Sequence, residues 1–257
     1  MRLFSSKVNS SQIVNSLLYG SKAYQAEEKL MEQSYGKMLA RGKYVHEIVH
    51  HRIAPAHQKT YQELIAAEYQ RIASDESNAV HLVGSWKCEI GEPDLFVHIW
   101  EYKGYAGYDK TRLQLASSER FNAFEREIAG LILSRRNDLM QEFSFWPTAA
   151  PRNLGGIFEL RSYSLQPGKL LEWEGHWRKG LEARRNVMEG VGAWFTQIGR
   201  LNTVYHLWQF DNLRDRQLSR ERSWEIPGWS DTVHKTVPLI AEMNSNILVP
   251  LPWSPLR

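Results

Sequence analysis

Apolar positions along this chain change period several times. In "VHEIVHHRI", Val45, Ile48, Val49 and Ile53 fit a helical face, while Val45, Val49 and Ile53 also fit one face of a strand. After Pro55 the period lengthens, with Tyr61, Leu64, Ile65, Tyr69 and Ile72 at helical spacing. Strands are predicted over about 80–87 and 94–103, turning at Gly91-Glu92-Pro93-Asp94. A helix with Phe121, Phe124, Ile128 and Leu131 on one face follows, and then an aromatic strand over 140–146. The order β-α-β-β-α-β is that of a split βαβ, or ferredoxin-like, unit.

The same pattern then recurs. Val83-Gly84-Ser85-Trp86 matches Val191-Gly192-Ala193-Trp194, and His98-Ile99-Trp100 matches His206-Leu207-Trp208 at equal spacing from the glycine. Upstream, Glu47 and Pro55 match Glu159 and Pro167; downstream, Asn137 and Trp146 match Asn244 and Trp253. Four anchors in order define a duplicated unit of roughly 105 residues. In the second copy "IFELRSYSL" is the first strand, and Pro167-Gly168 opens a helix bearing Leu170, Trp173, Trp177 and Leu181. One such unit leaves a sheet face bare. Two can bury those faces together, so the expected fold is α+β: tandem ferredoxin-like repeats packed as an intramolecular dimeric α+β barrel. The expected boundaries are 1–42 for an N-terminal segment, 43–148 for the first repeat and 149–257 for the second.

"HEIVH" at 46–50 also reads as H-E-x-x-H, the zinc-protease pattern, which requires a helix. On a strand, His46 and His50 lie ~13 Å apart along the chain, too far for nitrogens that each need ~2 Å to one metal. The second copy keeps Glu159 and neither histidine. The expectation is therefore a half-exposed strand, no metal site and no resident cofactor. No glycine-rich phosphate loop or G-x-S-x-G turn is present, and no catalytic constellation is complete. Arg135-Arg136 is placed near a helix C-terminus, where the dipole favours cations.

Composition narrows the classes further. A single cysteine, Cys88, rules out an intramolecular disulfide. A net charge of +3 without a basic stripe argues against nucleic acid. No apolar run reaches the ~20 residues of a membrane span, and the tail from Ser245 reads as a strand and a docked arm. Residues 1–26 hold Arg2, Lys7 and Lys22, six serines and no acid, the character of a mitochondrial transit segment with processing near Phe4. Six of the ten tryptophans form repeat-matched pairs, 86/194, 100/208 and 146/253. They read first as core. If the barrel instead holds a small hydrophobic ligand, the pocket candidates are His98, Trp100, His206, Trp208, Glu159 and Arg161. A barrel interior filled by tryptophan would count against a ligand there.

The strings "FELRSYSLQPG", "EWEGHW", "VGAWFTQIGRLNTVYHLWQF" and "TVPLIAEMNSNILVPL" resemble the NIPSNAP family over about residues 44–257. That resemblance implies the tandem barrel and a mitochondrial location. It also implies a non-catalytic interaction or scaffold role in vesicular transport or mitophagy, with protein partners and a homo-oligomer as further expectations. It carries no catalytic residues. The alternative is a ligand-binding barrel with monooxygenase-like or haem-handling activity.

Overall fold

The computed structural model describes residues 44–257, so the expected leader lies outside the described residues. The first half runs β1 (Val45–Ile53), a 3-10 turn (Pro55–His57), α1 (Gln58–Ser74), β2 (Val80–Ile90), β3 (Leu95–Tyr102), α2 (Gly104–Ala116), α3 (Glu119–Ala129) and β4 (Ile132–Glu142). The second runs β5 (Ile157–Leu165), α4 (Leu170–Arg185), β6 (Glu189–Ile198), β7 (Thr203–Phe210), α5 (Leu213–Glu225), α6 (Trp229–Thr236), a 3-10 turn (Val237–Leu239) and β8 (Ile240–Pro250).

The strands close into an antiparallel barrel in the order β1-β3-β2-β8-β5-β7-β6-β4. Each half supplies four neighbours, and the seams are β2/β8 and β4/β6. Pairing alternates faces along every strand. Ile48, Val97, Ile99, Phe158, Leu160, Tyr205 and Leu207 meet inside the barrel, packed around Trp86 and Trp194, both fully buried. Phe96, Trp100 and Tyr102 face outward onto α1, α2 and α3, and Val204, Trp208 and Phe210 face outward in the second half. The halves also exchange arms. Trp146 packs on Trp177 and Trp208 of the second half at ring distances of 5.3 and 4.5 Å, while Trp253 meets Tyr69 of the first at 6.3 Å.

The repeated Gly-x-Trp explains itself in three dimensions. At each copy the strand register shifts beside the glycine, and the tryptophan ring folds back over it. A Cβ on Gly84 would come within 2.2 Å of the Trp86 ring, and one on Gly192 within 2.5 Å of Trp194. Gly84→Ala and Gly192→Ala are each expected to cost ~1–3 kcal/mol by overpacking. Urea midpoints of the two variants check this, and unchanged midpoints would mean the rings have room to move.

Four expectations need correction. β1 is not half-exposed: it lies between β3 and β4, with His46, Glu47, His50 and His51 all buried. β4 begins at Ile132, so Arg135 and Arg136 stand on a strand rather than at a helix end, and Trp146 lies beyond that strand. β8 likewise begins at Ile240, before Ser245. The cause is shared, since the seams pair only Leu139 to Glu142 and Ile247 to Pro250. The remainder of each strand has a free edge and polar, exposed residues, which erases the alternation that betrays a strand. α2 had no expectation at all. Its buried residues are Gly107, Thr111 and Leu115, two of them not apolar, so its face leaves no hydrophobic period. The Asn137 match also shifts by one: Val49 pairs with Asn137 as Arg161 pairs with Ser245, so Ser245 is its structural counterpart rather than Asn244.

Candidate functional site: a chamber between sheet and helices

A cavity of about 390 Å³ opens between the outward face of the first-half sheet and its helices, within the range of small-molecule sites. β1 supplies Glu47, Val49 and His51, and β3 supplies Trp100 and Tyr102. From α1 come Tyr69 and Ile72; Thr111, Arg112 and Leu115 come from α2, and Phe121 and Glu125 from α3. Val80 of β2 and Arg135, Arg136 and Asn137 of β4 complete the lining. These residues converge because β-strand alternation sends Glu47, Val49 and His51 to one face, while helical spacing aims Tyr69 and Ile72 back at it.

The walls are aromatic. Tyr69 stands edge-on to Trp100 with ring centroids 4.9 Å apart. The floor is polar: the Glu47 carboxylate accepts hydrogen bonds from the Tyr102 hydroxyl at 2.8 Å and from Asn137 Nδ2 at 2.6 Å. Burial, then the Glu47 charge, raises the pKa values of Tyr69 and Tyr102, so both phenols keep their protons. Thr111 contributes to the lining with 1% of the residue exposed, and its hydroxyl is buried with no hydrogen-bond partner among the described residues. Arg112 and Arg135 stand with two carboxylates, of which Glu125 accepts from Arg135 at 3.2 Å, whereas Arg136 alternates to the other face of the strand, 3.7 Å from Asp138.

Behind the wall runs a chain of hydrogen bonds. His51 Nδ1 lies 2.7 Å from the Tyr61 hydroxyl, which lies 2.9 Å from His98 Nε2; His98 Nδ1 then meets Ser85 Oγ at 2.8 Å. Burial, then Arg135, lowers His51 to about 4, and burial, then His51 and His50, lowers His98. Both imidazoles are therefore neutral at pH 7, and His51 is too weak a base to strip a proton efficiently there.

The six candidate residues separate into two groups, one on each half. Trp100 lines the chamber and His98 stands behind it. Glu159, Arg161, His206 and Trp208 lie in the second half's outer layer, where Glu159 accepts from Arg161, Arg216 and Ser245, and Trp208 Nε1 donates to His206. None of the six faces the barrel interior, where buried side chains pack around Trp86 and Trp194. HEIVH is a strand, so His46 and His50 turn inward toward Trp194 and Tyr205 while Glu47 turns outward. Among the described residues no group of three His, Cys, Asp or Glu side chains is placed to hold a metal. Sequence reasoning missed Thr111 and Arg112 with α2. Glu47 was read as a repeat anchor and as the acid of the H-E-x-x-H pattern, and its match to Glu159 was the signal for a shared buried position.

The NIPSNAP family model matches residues 46–147 and 158–255, one segment on each half. The chain belongs to the NIPSNAP family. It is 39% identical to Protein NipSnap homolog 1 of Danio rerio over 214 residues, covering 83% of this chain and 77% of that protein. To Protein NipSnap homolog 2 of Homo sapiens it is 38% identical over 208 residues, covering 80% and 73%. Among solved structures, a putative monooxygenase from Lactobacillus acidophilus superposes with a TM-score of 0.60 over 81% of this NIPSNAP chain and 94% of that one. The two are 11% identical, a likeness of fold alone.

Proposed function

We propose that this NIPSNAP protein binds a small amphipathic molecule in the first-half chamber. Its apolar body lies against Tyr69 and Trp100, and its anionic end meets Arg112 at α2. One observation carries the reading: a cavity of about 390 Å³, walled by Tyr69 and Trp100 with Arg112 at its lining, stands where the duplicated half carries larger, charged side chains. The position of Val49 is Arg161 in the second copy, and that of Ile72 is Arg184. An apolar wall with few convergent polar groups is the usual form of a ligand site. A neutral His51 and a Glu47 already hydrogen-bonded favour holding and orienting over proton abstraction. Monooxygenase-like or haem-handling chemistry would need groups beyond these, so the proposal is binding.

Fluorescence titration with 1-anilinonaphthalene-8-sulfonate, an anionic aromatic probe, tests it. Saturable binding to the parent protein is expected, with loss in Val49→Arg, which imports the second half's side chain, and in Thr111→Leu, which fills the cavity without adding charge. Equal binding by folded Thr111→Leu and parent would sink the proposal.

A second reading keeps the interaction or scaffold role, in vesicular transport or mitophagy at the mitochondrion, that the resemblance implies. Leu113 on α2 and Trp224 on α5, 71% and 53% exposed, favour it as apolar contact points for a protein partner or a second copy. The two readings are compatible, because α2 carries both Leu113 outside and Thr111 inside.

A further inference from the structure

The second half carries a charge pattern that its own counterpart lacks. Val49, Ile72 and Tyr108 of the first half correspond to Arg161, Arg184 and Arg216 of the second, and Arg112 to Arg220. The fold thus accepts neutral side chains at three of these four positions, so the added cations are not a requirement of packing. The heads of Arg161, Arg216 and Arg220 gather around one carboxylate, and Arg184 is buried close enough to feel its charge. Arg161 Nη1 donates to Glu159 at 2.7 Å, and Arg216 donates through Nε and Nη2 at 2.9 and 2.7 Å. Arg220 Nη1 is ion-paired with Glu159 at 3.9 Å but beyond hydrogen-bond reach, and it is buried without a hydrogen-bond partner among the described residues. Arg184 is 6% exposed, and its Nε also has no partner. Its contacts are the Trp229 face at 4.0 Å, the Trp208 face at 5.8 Å and Met188 Sδ at 3.6 Å, none of them a carboxylate. Burial, then repulsion from Arg220, lowers Arg184 to about 9, and burial, then Arg161, lowers Arg220.

Four guanidinium groups against one carboxylate leave buried positive charge uncompensated, an arrangement that costs stability unless an anion completes it. The side chains of Arg161, Arg216 and Arg220 are 15%, 25% and 28% exposed, so an anion approaches the cluster from solvent and meets Arg220 Nη1 once that side chain turns its buried end outward. We propose that this cluster binds a phosphate-type oxyanion, with Arg220 as the donor that Glu159 leaves free and Arg161 and Arg216 beside it. The forked, fixed donors of arginine suit an acceptor with several oxygens better than they suit a monatomic ion.

Melting of the full chain in sodium phosphate, in phenyl phosphate and in sodium chloride at matched ionic strength, with ³¹P line broadening as direct evidence of binding, tests this. The expected result is a saturable rise in Tm with either phosphate and none with chloride. Arg220→Gln is expected to weaken phosphate binding about tenfold or more, whereas Arg126→Gln on the surface of α3 leaves it unchanged. In chloride, Arg220→Gln is expected to be at least as stable as the parent, since one repelling charge is gone; loss of the phosphate response then cannot be misfolding. A response to phenyl phosphate alone would assign the site to the phosphate end of a small molecule. Equal melting in phosphate and chloride, or a full response in Arg220→Gln, overturns the proposal.

Discussion

Glu159→Gln is expected to destabilise the protein by ~3–5 kcal/mol, the cost of removing one partner from a buried ionic cluster. Glu159 is 1% exposed and answers to Arg161, Arg216 and Ser245 at once. Burial opposes its ionisation, yet the hydrogen bond from Arg216, the charge of Arg161 and the Ser245 hydroxyl hold it well below the usual carboxylate range. Its stabilising contribution is therefore complete above the unfolded value of ~4.3 and is lost only as pH falls through the lower folded value. Glutamine keeps the shape and removes the charge, leaving the arginines facing one another. Chemical denaturation at pH 7 measures the difference. A loss below ~1 kcal/mol would mean that solvent already screens the cluster as it does a surface pair. Glu47→Gln is expected to cost less, because Glu47 answers to a phenol and an amide rather than to guanidinium groups.

Mild acid is expected to destabilise the protein well before its carboxylates titrate. His50, His51, His98 and His206 all have pKa values lowered chiefly by burial. Arg136 and Arg200 add to the effect at His50, Arg135 at His51, and Arg161 and Arg184 at His206. A folded value below the unfolded ~6.5 means that, as pH drops past 6.5, the unfolded chain takes up protons the folded chain refuses. Stability therefore falls with falling pH. For His51, lowered to about 4, the loss runs from about pH 6.5 down to 4 at up to ~1.4 kcal/mol per pH unit, and the other three act in the same direction. Urea denaturation at pH 7.5, 6.0 and 5.0 should give a slope steeper than one such group provides. A stability that stays level from pH 7 to pH 5 would show that these rings open to water and protonate in the native state.

Much of the fold was legible because duplication prints the same anchors twice. Gly-x-Trp, His-x-Trp and the prolines before α1 and α4 located each unit, and a ferredoxin-like sheet with one bare face has few ways to hide it. The elements that escaped share a physical trait. α2 buries a glycine and a threonine, while the outer parts of β4 and β8 run along free edges, so none of them carries the hydrophobic period that sequence reading depends on. The candidate site suffered accordingly. Trp100 was named from its pairing with Trp208, and His98 from its pairing with His206. Thr111 and Arg112 went unnoticed because the helix that carries them was unseen.

The sequence alone determined the duplication, the strand nature of HEIVH and the family, since each is written in spacing and residue type along one dimension. Which strand face meets the other sheet was undecided, because both faces of β3 and β7 are apolar. Only the closed barrel settled that: Trp86 and Trp194 turned inward and fill it, while Trp100 and Trp208 turned outward to the helices. Likewise, nothing in the spacing of Glu47 and Glu159 distinguishes a floor residue of a chamber from the centre of an arginine cluster. That difference arises from side chains on α1, α2, α4 and α5, far away in sequence, whose size and charge act on the two carboxylates only once the helices are packed against the sheet.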